Sequence, residues 1–371
     1  MFFNILQSKF NKGIQIVQKA VSSKSTLPIL TGIYLQAVKN KGVRLVSNNL
    51  EIGIEYWVKA EVKEEGSIVL PANQLSNIVR ELPSAEIILK VELEKQQANL
   101  KCLNSEFVLK GFQADEFPKL PEVKVEKNFK VKVSAFKKML EEVKFSVSSD
   151  QTQPSLTGGL MLLEDNKTSM VTTNTYRLAY SWFKNDNTQD EEISFILPGV
   201  TLNELSNLLD GEEELELLIG DSYVCFNFNE IIFISRLIEG DFPNFREVLP
   251  GQYKSRVKVD RKELLKAARR VSLIARLNSN VISLKTTEEQ LHIKPVDSEF
   301  GDAHEILEIE IEGNKEGQNI DIDAGYLIDV LNVLNDDVVL LEFISSINPL
   351  TVSKSTEDDY IYLIMPIRPG A

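Results

Sequence analysis

One pattern of residues occurs three times along this chain, at residues 67–83, 194–210 and 319–335. Each copy begins with a short run of alternating apolar residues and continues into a stretch where apolar residues recur every three or four positions. Alternation is typical of a strand, and the second spacing places apolar side chains on one face of a helix. The copies begin about 125 residues apart, which is the size of a small domain. The sequence therefore predicts three similar domains in series.

A second helical pattern opens each of the three repeats, at residues 7–21, 134–148 and 260–276. In the first of them, Phe10 and Ile14 begin an apolar stripe, and the other two carry equivalent stripes. Each repeat thus contains a helix, strands, a second helix and further strands. This order predicts an α+β fold made of three tandem copies of one domain, each with two helices packed on one side of antiparallel sheet.

A hairpin pattern also recurs in each repeat. It is clearest at residues 223–235, where apolar residues alternate on both sides of a turn near Asn229. Its counterparts lie at residues 99–112 and 338–365. The strand content of the three repeats is therefore expected to be similar.

Two connectors, residues 115–123 and 240–250, follow hairpins of this kind. Each contains a Phe-Pro step and a second proline, which favour extended backbone and oppose helix formation. The connectors place the predicted domains at residues 1–120, 128–246 and 248–371. Strand-rich domains in series leave open sheet edges at both ends of the chain. A homodimer that joins head to tail and closes into a ring would cover those edges.

Charge is unevenly distributed along the chain. The net charge of -14 argues by itself against nucleic-acid binding. The three opening helices, however, carry net charges of +3, +1 and +4, so the remainder of the chain carries -22. In the third helix, Lys262, Lys266 and Arg269 form a continuous basic stripe. One such stripe is compatible with an ordinary solvated helix face, but its repetition in equivalent elements indicates a surface that attracts phosphate.

Motifs for catalysis do not occur in the sequence. There is no GxxxxGK phosphate loop, no GxGxxG, no GxSxG and no HExxH. The two histidines, His292 in an alternating strand and His304 in an acidic loop, do not indicate a ligand or a catalytic base. The sequence therefore predicts no catalytic residues, no cofactor and no metal.

Cysteine usage and the lack of long apolar segments bear on the compartment. Cys102 and Cys225 lie in different repeats, so neither a disulfide framework nor a CxxC metal pair is expected. The N-terminal residues lack the apolar core of a signal peptide, and no run approaches eighteen apolar residues. These features predict a soluble, cytoplasmic protein.

Four short motifs, in this order and on the threefold repeat, resemble those of one known family. They are TLPIL at residues 26–30, TTNTYRLAYS at 172–181, DFPNFREVLP at 241–250 and MPIR at 365–368. Together they resemble the bacterial sliding clamps, the beta subunits of DNA polymerase III, over essentially the whole chain.

The resemblance implies a head-to-tail homodimer with six similar domains in a ring, helices lining the hole and sheets forming the outer wall. Such a ring encircles duplex DNA without sequence preference and slides on it. It tethers the replicative DNA polymerase and other replication and repair proteins, so that synthesis is processive. The family has no catalytic activity of its own, and a separate ATP-driven clamp loader opens the ring. No membrane partner is implied.

Candidate site residues follow from the charge pattern and from the resemblance. The DNA-contact candidates are the basic residues Lys9, Lys12, Lys19, Lys24, Arg80, Lys137, Lys138, Lys262, Lys266, Arg269 and Arg270. The resemblance implies a partner-peptide pocket between the second and third repeats, an apolar groove with a few polar residues. By motif it comprises Leu156, Thr173, Tyr176, Arg177, Leu178, Pro243, Arg246, Val248, Ile347, Pro349, Leu363, Met365 and Ile367. The dimer contact implied by the family pairs Phe107 with Leu273 and Ile274.

Two other classes of protein share some of these features. A tandem β-rich scaffold that binds only proteins would also lack catalytic motifs, but it would have no reason to concentrate basic residues on one repeated helix. An enzyme with its site split between repeats would require convergent acidic residues or a metal.

Overall fold

The computed structural model describes residues 1–22, 26–185, 192–211, 213–277, 279–296, 301–315 and 317–367. Lys24 and Arg368 therefore lie outside the described residues. The described part of the chain contains six α-helices: α1 Gln7–Val17, α2 Ala72–Glu81, α3 Val133–Val143, α4 Gly199–Leu208, α5 Arg261–Ala275 and α6 Ala324–Val333. None of these helices is long and apolar enough to cross a membrane.

The strands of the first repeat are β1 Phe2–Leu6, β2 Gly32–Val38, β3 Gly42–Asn48, β4 Ile52–Val58, β5 Glu61–Glu64, β6 Gly66–Pro71, β7 Glu86–Glu92, β8 Gln97–Cys102 and β9 Ser105–Lys110. Those of the second are β10 Lys127–Lys132, β11 Gly158–Glu164, β12 Lys167–Thr173, β13 Arg177–Lys184, β14 Ile193–Pro198, β15 Glu214–Ile219, β16 Tyr223–Phe228 and β17 Ile231–Arg236. Those of the third are β18 Ser255–Asp260, β19 Val281–Thr286, β20 Gln290–Pro295, β21 Glu305–Glu308, β22 Glu310–Gly313, β23 Asn319–Asp323, β24 Val338–Phe343, β25 Leu350–Lys354 and β26 Tyr360–Ile364.

The predicted strand-to-helix pattern is confirmed in all three repeats. β6 ends at Pro71, β14 at Pro198 and β23 at Asp323, and a helix begins at the next residue each time. At the third copy the Asp323 carboxylate accepts hydrogen bonds from the backbone of Gly325 and Tyr326, which satisfies amides that the first helical turn leaves unpaired. The hairpin of β16 and β17 also turns at Asn229, as expected.

The opening helices are shorter than their sequence patterns. α1 ends at Val17 and α3 ends at Val143, and each is followed by one 3₁₀ turn, Gln18–Ala20 or Lys144–Ser146. A 3₁₀ turn tightens the end of a helix and pairs carbonyl groups that the helix leaves free. α5 matches its prediction closely, because the Asp260 side chain accepts a hydrogen bond from the amide of Glu263 at 2.9 Å and caps the helix.

The connectors correct one detail of the sequence analysis. Their prolines were expected to exclude helix, yet a single 3₁₀ turn forms in each, at Ala114–Glu116 and at Phe245–Glu247. Such a turn needs one backbone hydrogen bond, from Phe117 to Ala114 or from Val248 to Phe245, each 3.1 Å long. The first turn ends before Pro118 and the second lies between Pro243 and Pro250, so the prolines leave this one bond intact. An α-helix would need several successive amide donors.

The chain forms two compact units, and their division passes through the second repeat. The first unit comprises residues 1–134 and 207–237, and the second comprises residues 135–206 and 238–371. The first contains a five-stranded sheet in the order β5-β1-β7-β8-β9 and an eight-stranded sheet in the order β10-β15-β16-β17-β4-β3-β2-β6. The second contains a nine-stranded sheet in the order β14-β11-β12-β13-β26-β25-β24-β18-β22 and a four-stranded sheet in the order β21-β20-β19-β23.

The two large sheets each combine strands from successive repeats. In the eight-stranded sheet, β17 pairs antiparallel with β4 of the first repeat, so that Phe233 lies opposite Ile54. In the nine-stranded sheet, β13 pairs antiparallel with β26 of the third repeat, so that Leu178 lies opposite Leu363. The repeat pattern in the sequence does not indicate this pairing, because each repeat could have closed its own sheet.

A buried ionic network stabilises the second unit. The Lys354 side chain on β25 is only 3% exposed, and its Nζ lies 2.6 Å from Glu142 on α3 and 2.7 Å from Asp359. The Ser181 hydroxyl on β13 donates a further hydrogen bond to Glu142 at 2.6 Å. Burial raises the pKa of Glu142, and the hydrogen bonds from Lys354 and Ser181 oppose this rise. The network thus joins α3 to two strands of the nine-stranded sheet.

Replacing Lys354 by methionine is expected to lower the free energy of unfolding by about 3–5 kcal/mol, because the buried Glu142 loses its cation. Urea denaturation followed by circular dichroism measures the change. The matched control is Lys258→Met, which removes an exposed ion pair with Glu312 and should cost about 1 kcal/mol or less. Equal losses in the two variants would contradict the structural role of the network.

Candidate functional site

The first unit presents basic side chains on its packed helices. α1 and α2 lie side by side, and Gln15 on α1 donates a hydrogen bond to the Ser76 hydroxyl on α2 at 3.2 Å. The apolar stripe of α1 is buried, whereas Lys9, Lys12 and Lys19 are exposed. These three candidates therefore lie on the solvent side of the helix.

Arg80 on α2 is also exposed, but an acidic residue lies beside it. Its Nε donates a hydrogen bond to Glu81 at 3.3 Å, and its Nη2 donates one to Asn77 at 3.4 Å. An ion pair this exposed is screened by solvent and exchanges readily with other anions.

The basic residues of α5 differ in whether an acidic side chain lies close enough to compensate their charge. Lys262 lies 3.3 Å from Asp337, and Lys266 lies 2.9 Å from Glu263. Arg269 donates its hydrogen bond, 2.6 Å long, to the neutral amide oxygen of Asn332 on α6. Arg269 is thus fixed in direction by a partner that carries no charge.

Two of the predicted contact residues are held in strong ion pairs. The Arg270 guanidinium binds both oxygens of Glu305, at 2.7 and 2.6 Å. These hydrogen bonds raise the pKa of Arg270 and lower that of Glu305. Lys138 lies 2.6 Å from Glu357 and 3.1 Å from Asp359. Burial alone would lower the pKa of Lys138, but these two hydrogen bonds raise it. Neighbouring carboxylates therefore already neutralise both residues.

Lys137, the other basic candidate on α3, is half-buried. The helix that the sequence analysis found weakest in net charge therefore also has the least available basic side chains. Lys24 lies outside the described residues.

An apolar cluster occupies one face of the nine-stranded sheet in the second unit. It is formed by Leu162, Val171, Leu178, Tyr180, Phe245 and Leu363 and is called here the connector cluster. Phe242 and Leu249 of the connector pack against it, and the rings of Tyr180 and Phe245 are 5.3 Å apart. The structure thus brings together Leu178 and Leu363, two predicted pocket residues that are 185 positions apart.

The sequence analysis missed the aromatic part of this cluster. Phe242 and Phe245 belong to the quoted connector motif, but only Pro243, Arg246 and Val248 of that motif were named as pocket residues. The signal was present as a pair of phenylalanines in an otherwise polar connector.

Exposed apolar residues lie at the edge of the connector cluster. Val248 directly follows the 3₁₀ turn Phe245–Glu247 and is 50% exposed. Tyr176 is 64% exposed, and its carbonyl accepts a hydrogen bond from the amide of Met365 at 2.9 Å. Leu178 and Leu363 pair directly beyond these two residues. The arrangement is an apolar floor with exposed apolar side chains around it, as in a groove that receives an apolar peptide.

Other predicted pocket residues are distributed around this region. Pro243 and Arg246 are exposed, and Arg246 lies 3.1 Å from Glu164. Ile347, 66% exposed, occupies the turn before β25, and Pro349 directly precedes that strand. Ile367 is exposed, and its amide donates a hydrogen bond to the carbonyl of Asp321 at 2.8 Å.

Three predicted pocket residues support the surrounding structure. Leu156 is buried in the 3₁₀ turn Pro154–Thr157, and the buried Thr173 hydroxyl donates to the Arg177 carbonyl at 2.7 Å. The Arg177 side chain, 11% exposed, lies 2.5 Å from Asp329 on α6 and 4.6 Å from the centre of the Tyr326 ring. The Arg177 charge is therefore paired with a carboxylate inside the second unit. This contact positions the turn that carries Tyr176.

The first unit contains a counterpart of this region, and its connector side chain packs differently. Gly53 pairs with Ile234 on β17 in the way that Leu178 pairs with Leu363. A Cβ atom at Gly53 would lie only 2.3 Å from Leu120 Cδ2, so the connector side chain occupies that space. The repeat therefore builds two similar sheets, but in the first unit Leu120 fills the space that Leu178 takes in the second.

The predicted dimer residues lie at open sheet edges or beside them. Phe107 is on β9, the edge strand of the five-stranded sheet, and is 39% exposed, and its neighbour Val108 is 58% exposed. In the second unit, Leu273 on α5 is 64% exposed, whereas Ile274 is half-buried. Ile306 on the edge strand β21 is 48% exposed.

The sequence analysis did not name Val108, Leu277 or Ile306, although all three are large, apolar and exposed. Exposed apolar residues on an edge strand are typical of a surface that pairs with another chain. In the sequence, Val108 and Ile306 belong to short apolar runs like those of a buried strand, so exposure alone distinguishes them.

Comparison with known families agrees along the whole chain. The family model of the DNA polymerase III beta subunit N-terminal domain matches residues 1–121. The model of the central domain matches residues 130–244, and that of the C-terminal domain matches residues 246–368. The chain belongs to the DNA polymerase III beta-subunit family.

Individual members of the beta-subunit family are similar to the chain over its full length. The beta sliding clamp of Bacillus subtilis (strain 168) is 33% identical over 383 aligned positions, covering 99% of this chain and 100% of that protein. The crystal structure of the Bacillus subtilis DNA polymerase sliding clamp superposes with a TM-score of 0.93 and 31% identity, covering 100% and 99% of the two chains. The Pseudomonas aeruginosa sliding clamp bound to griselimycin gives a TM-score of 0.93 and 27% identity, with both chains fully covered.

Proposed function

We propose that this chain is the subunit of a DNA sliding clamp, in which two copies close head to tail into a ring of six domains around duplex DNA. The ring tethers the replicative DNA polymerase to its template and has no catalytic step and no cofactor of its own. The observation that carries this proposal is the uninterrupted order of the three beta-subunit models along the chain. The proposed domains are residues 1–120, 128–246 and 248–371.

Open sheet edges support closure of the ring. β9 is one edge of the five-stranded sheet, whose other edge is β5, and β21 is one edge of the four-stranded sheet, whose other edge is β23. In the proposed dimer the β9 edge of one protomer joins the β21 edge of its partner, and Phe107 packs against Leu273 and Ile274. Pairing the edges would satisfy their backbone hydrogen bonds, and the exposed apolar side chains would leave water.

Basic residues on the helices support a weak, sliding contact with DNA. Lys9, Lys12 and Arg269 are the strongest candidates, because the first two are exposed and the third is oriented by a neutral partner. Lys262, Lys266 and Arg80 would exchange an exposed acidic partner for phosphate. Lys19 is exposed as well, Lys137 is a weaker candidate because it is half-buried, and Lys138 and Arg270 are already neutralised by carboxylates. Contacts of this kind hold the phosphate backbone without reading sequence, and the closed ring supplies retention.

The connector cluster and its exposed edge support a peptide-binding role. The groove presents Tyr176, Val248 and Met365 around the buried Leu178 and Leu363. We assign to it the short apolar segments of the replicative polymerase, the clamp loader and other replication and repair proteins. The corresponding surface of the first unit differs, because Leu120 packs over Gly53 there, and we assign the peptide to the groove of the second unit. The proposed site of action is the cytoplasm, where the chromosome is replicated.

Topological retention on DNA tests the function directly. Clamp loaded by its clamp loader and ATP onto nicked circular DNA should remain bound during gel filtration and should be lost after the circle is cut once. Leu273→Asp places a carboxylate in the proposed interface, so it should give monomers by light scattering and no retention. Equal retention on circular and linear DNA would overturn the ring.

The control for this variant is Leu50→Asp, which changes a leucine that is 54% exposed in the turn between β3 and β4 of the first unit. Leu50 has a φ of 75°, a conformation that aspartate tolerates. This variant should remain dimeric and should be retained on circular DNA. Loss of the dimer in both variants would mean that Leu273 has no special role.

Two neighbouring arginines test the assignment of the DNA contact. Arg269→Ala should weaken binding to duplex DNA and reduce the slope of log affinity against log salt by about 0.9, because one phosphate contact is lost. Arg270→Ala should leave the slope nearly unchanged, because Glu305 already neutralises that charge. Fluorescence anisotropy with labelled duplex DNA at several salt concentrations measures both. The opposite ranking would contradict the assignment.

A negative charge at the edge of the groove should weaken the binding of partner peptides. Val248→Asp is expected to weaken binding of a labelled peptide from the polymerase's clamp-binding segment at least tenfold, because the peptide's apolar side chains would lie against a carboxylate. The control is Val200→Asp on α4, where valine is 37% exposed in the same unit. That control should bind the peptide normally. Unchanged binding by Val248→Asp would place the peptide elsewhere.

A further inference from the structure

The two histidines of the chain, twelve positions apart in sequence, lie against one another in the four-stranded sheet. His292 is on β20, and His304 directly precedes β21, the edge strand that pairs with β20. His292 Nδ1 and His304 Nε2 are 3.0 Å apart, and the two rings are stacked at an angle of 19°. One ring nitrogen donates a hydrogen bond to the other, and the two nitrogens lie close enough to enter one coordination sphere once that bond is given up.

The strand register explains why the rings meet. His292 lies opposite Ile306, and His304 is two residues before Ile306, so both imidazoles are on the same face of the sheet as diagonal neighbours. Glu305 directly follows His304, and the Arg270 guanidinium binds both of its carboxylate oxygens. This ion pair fixes the start of β21 and therefore the backbone that carries His304.

We propose that His292 and His304 chelate a divalent transition-metal ion of the Cu²⁺ or Ni²⁺ type, with water completing its coordination. Neutral imidazole nitrogen is a preferred ligand for these ions. At metal–nitrogen distances near 2.0–2.1 Å, two ligands at a right angle are about 2.9 Å apart, whereas a tetrahedral pair is about 3.4 Å apart. The separation of 3.0 Å in the hydrogen-bonded pair lies near these values, so a small movement of the rings would admit the ion.

The pair is open to solvent. Both side chains are at least partly exposed, so an ion can enter from solvent without opening the fold.

The test uses the full-length protein without a histidine tag at pH 7.5. Titration with CuCl₂ by calorimetry should give one tight ion per chain, and the electron paramagnetic resonance spectrum should show coupling to two imidazole nitrogens. NiCl₂ should bind more weakly than CuCl₂, following the usual order of stability, and MgCl₂, which prefers oxygen ligands, should not bind at this site.

Variants identify the ligands. His292→Ala and His304→Ala should each weaken Cu²⁺ binding at least tenfold, because a chelate needs both rings. Lys294→Ala, on the same strand and the same face, should bind Cu²⁺ at least as well as the unaltered protein. Both histidines are exposed or half-buried, so circular dichroism should show all three variants folded.

Three results would overturn the proposal. They are the absence of saturable Cu²⁺ binding in the untagged protein, unchanged affinity in the double variant His292→Ala/His304→Ala, and loss of binding in only one of the two single variants. Each chain carries its own pair of histidines, so these results do not depend on whether the ring forms. Failure of the metal site is therefore distinguishable from failure of the proposed clamp function.

Discussion

The structure depends on backbone pairing between strands of successive repeats. β4 pairs with β17 in the first compact unit, and β13 pairs with β26 in the second. A strand at the end of a small domain presents unpaired amide and carbonyl groups, and joining it to the next repeat satisfies those groups. The result is two sheets of eight and nine strands in place of several small ones. Within the described residues, the edges that remain for a second protomer are those of the two smaller sheets and the outermost strands of the large ones.

The candidate groove is a consequence of the same pairing. Because β13 and β26 are neighbours, Tyr176 at one strand end meets Met365 at the other, and Leu178 and Leu363 form one floor. The connector with its two phenylalanines crosses this floor and completes the cluster. In the first unit the same sheet geometry recurs, but Leu120 of the connector packs over Gly53 where the second unit has Leu178. The repeat thus yields two related surfaces that differ in a few side chains.

The charges of individual helices in this protein differ from its net charge, and they act over short distances. The chain carries a net charge of -14, yet its opening helices are basic, and the ion pairs on α5 range from the forked Arg270–Glu305 pair to the neutral Arg269–Asn332 contact. Within about 10 Å, the ordinary screening distance, a phosphate group senses these individual side chains more than the total charge. An acidic protein can therefore present a weakly basic surface, which suits a ring that must move along DNA.

The sequence by itself determined the threefold repeat, the strand-to-helix order, the basic opening helices and the connector positions, because each is written in local periodicity, charge or proline placement. These local signals explain why α5 and the hairpin at Asn229 were predicted closely. Only the tertiary structure decided that β13 joins β26, that Arg177 points to Asp329 inside the unit, and that Lys138 and Arg270 are neutralised. It also decided that His292 meets His304. The physical reason is that these contacts join residues whose distance in sequence carries no information about their distance in space. Strand register and side-chain packing set the distance in space, and both arise only when the sheets assemble.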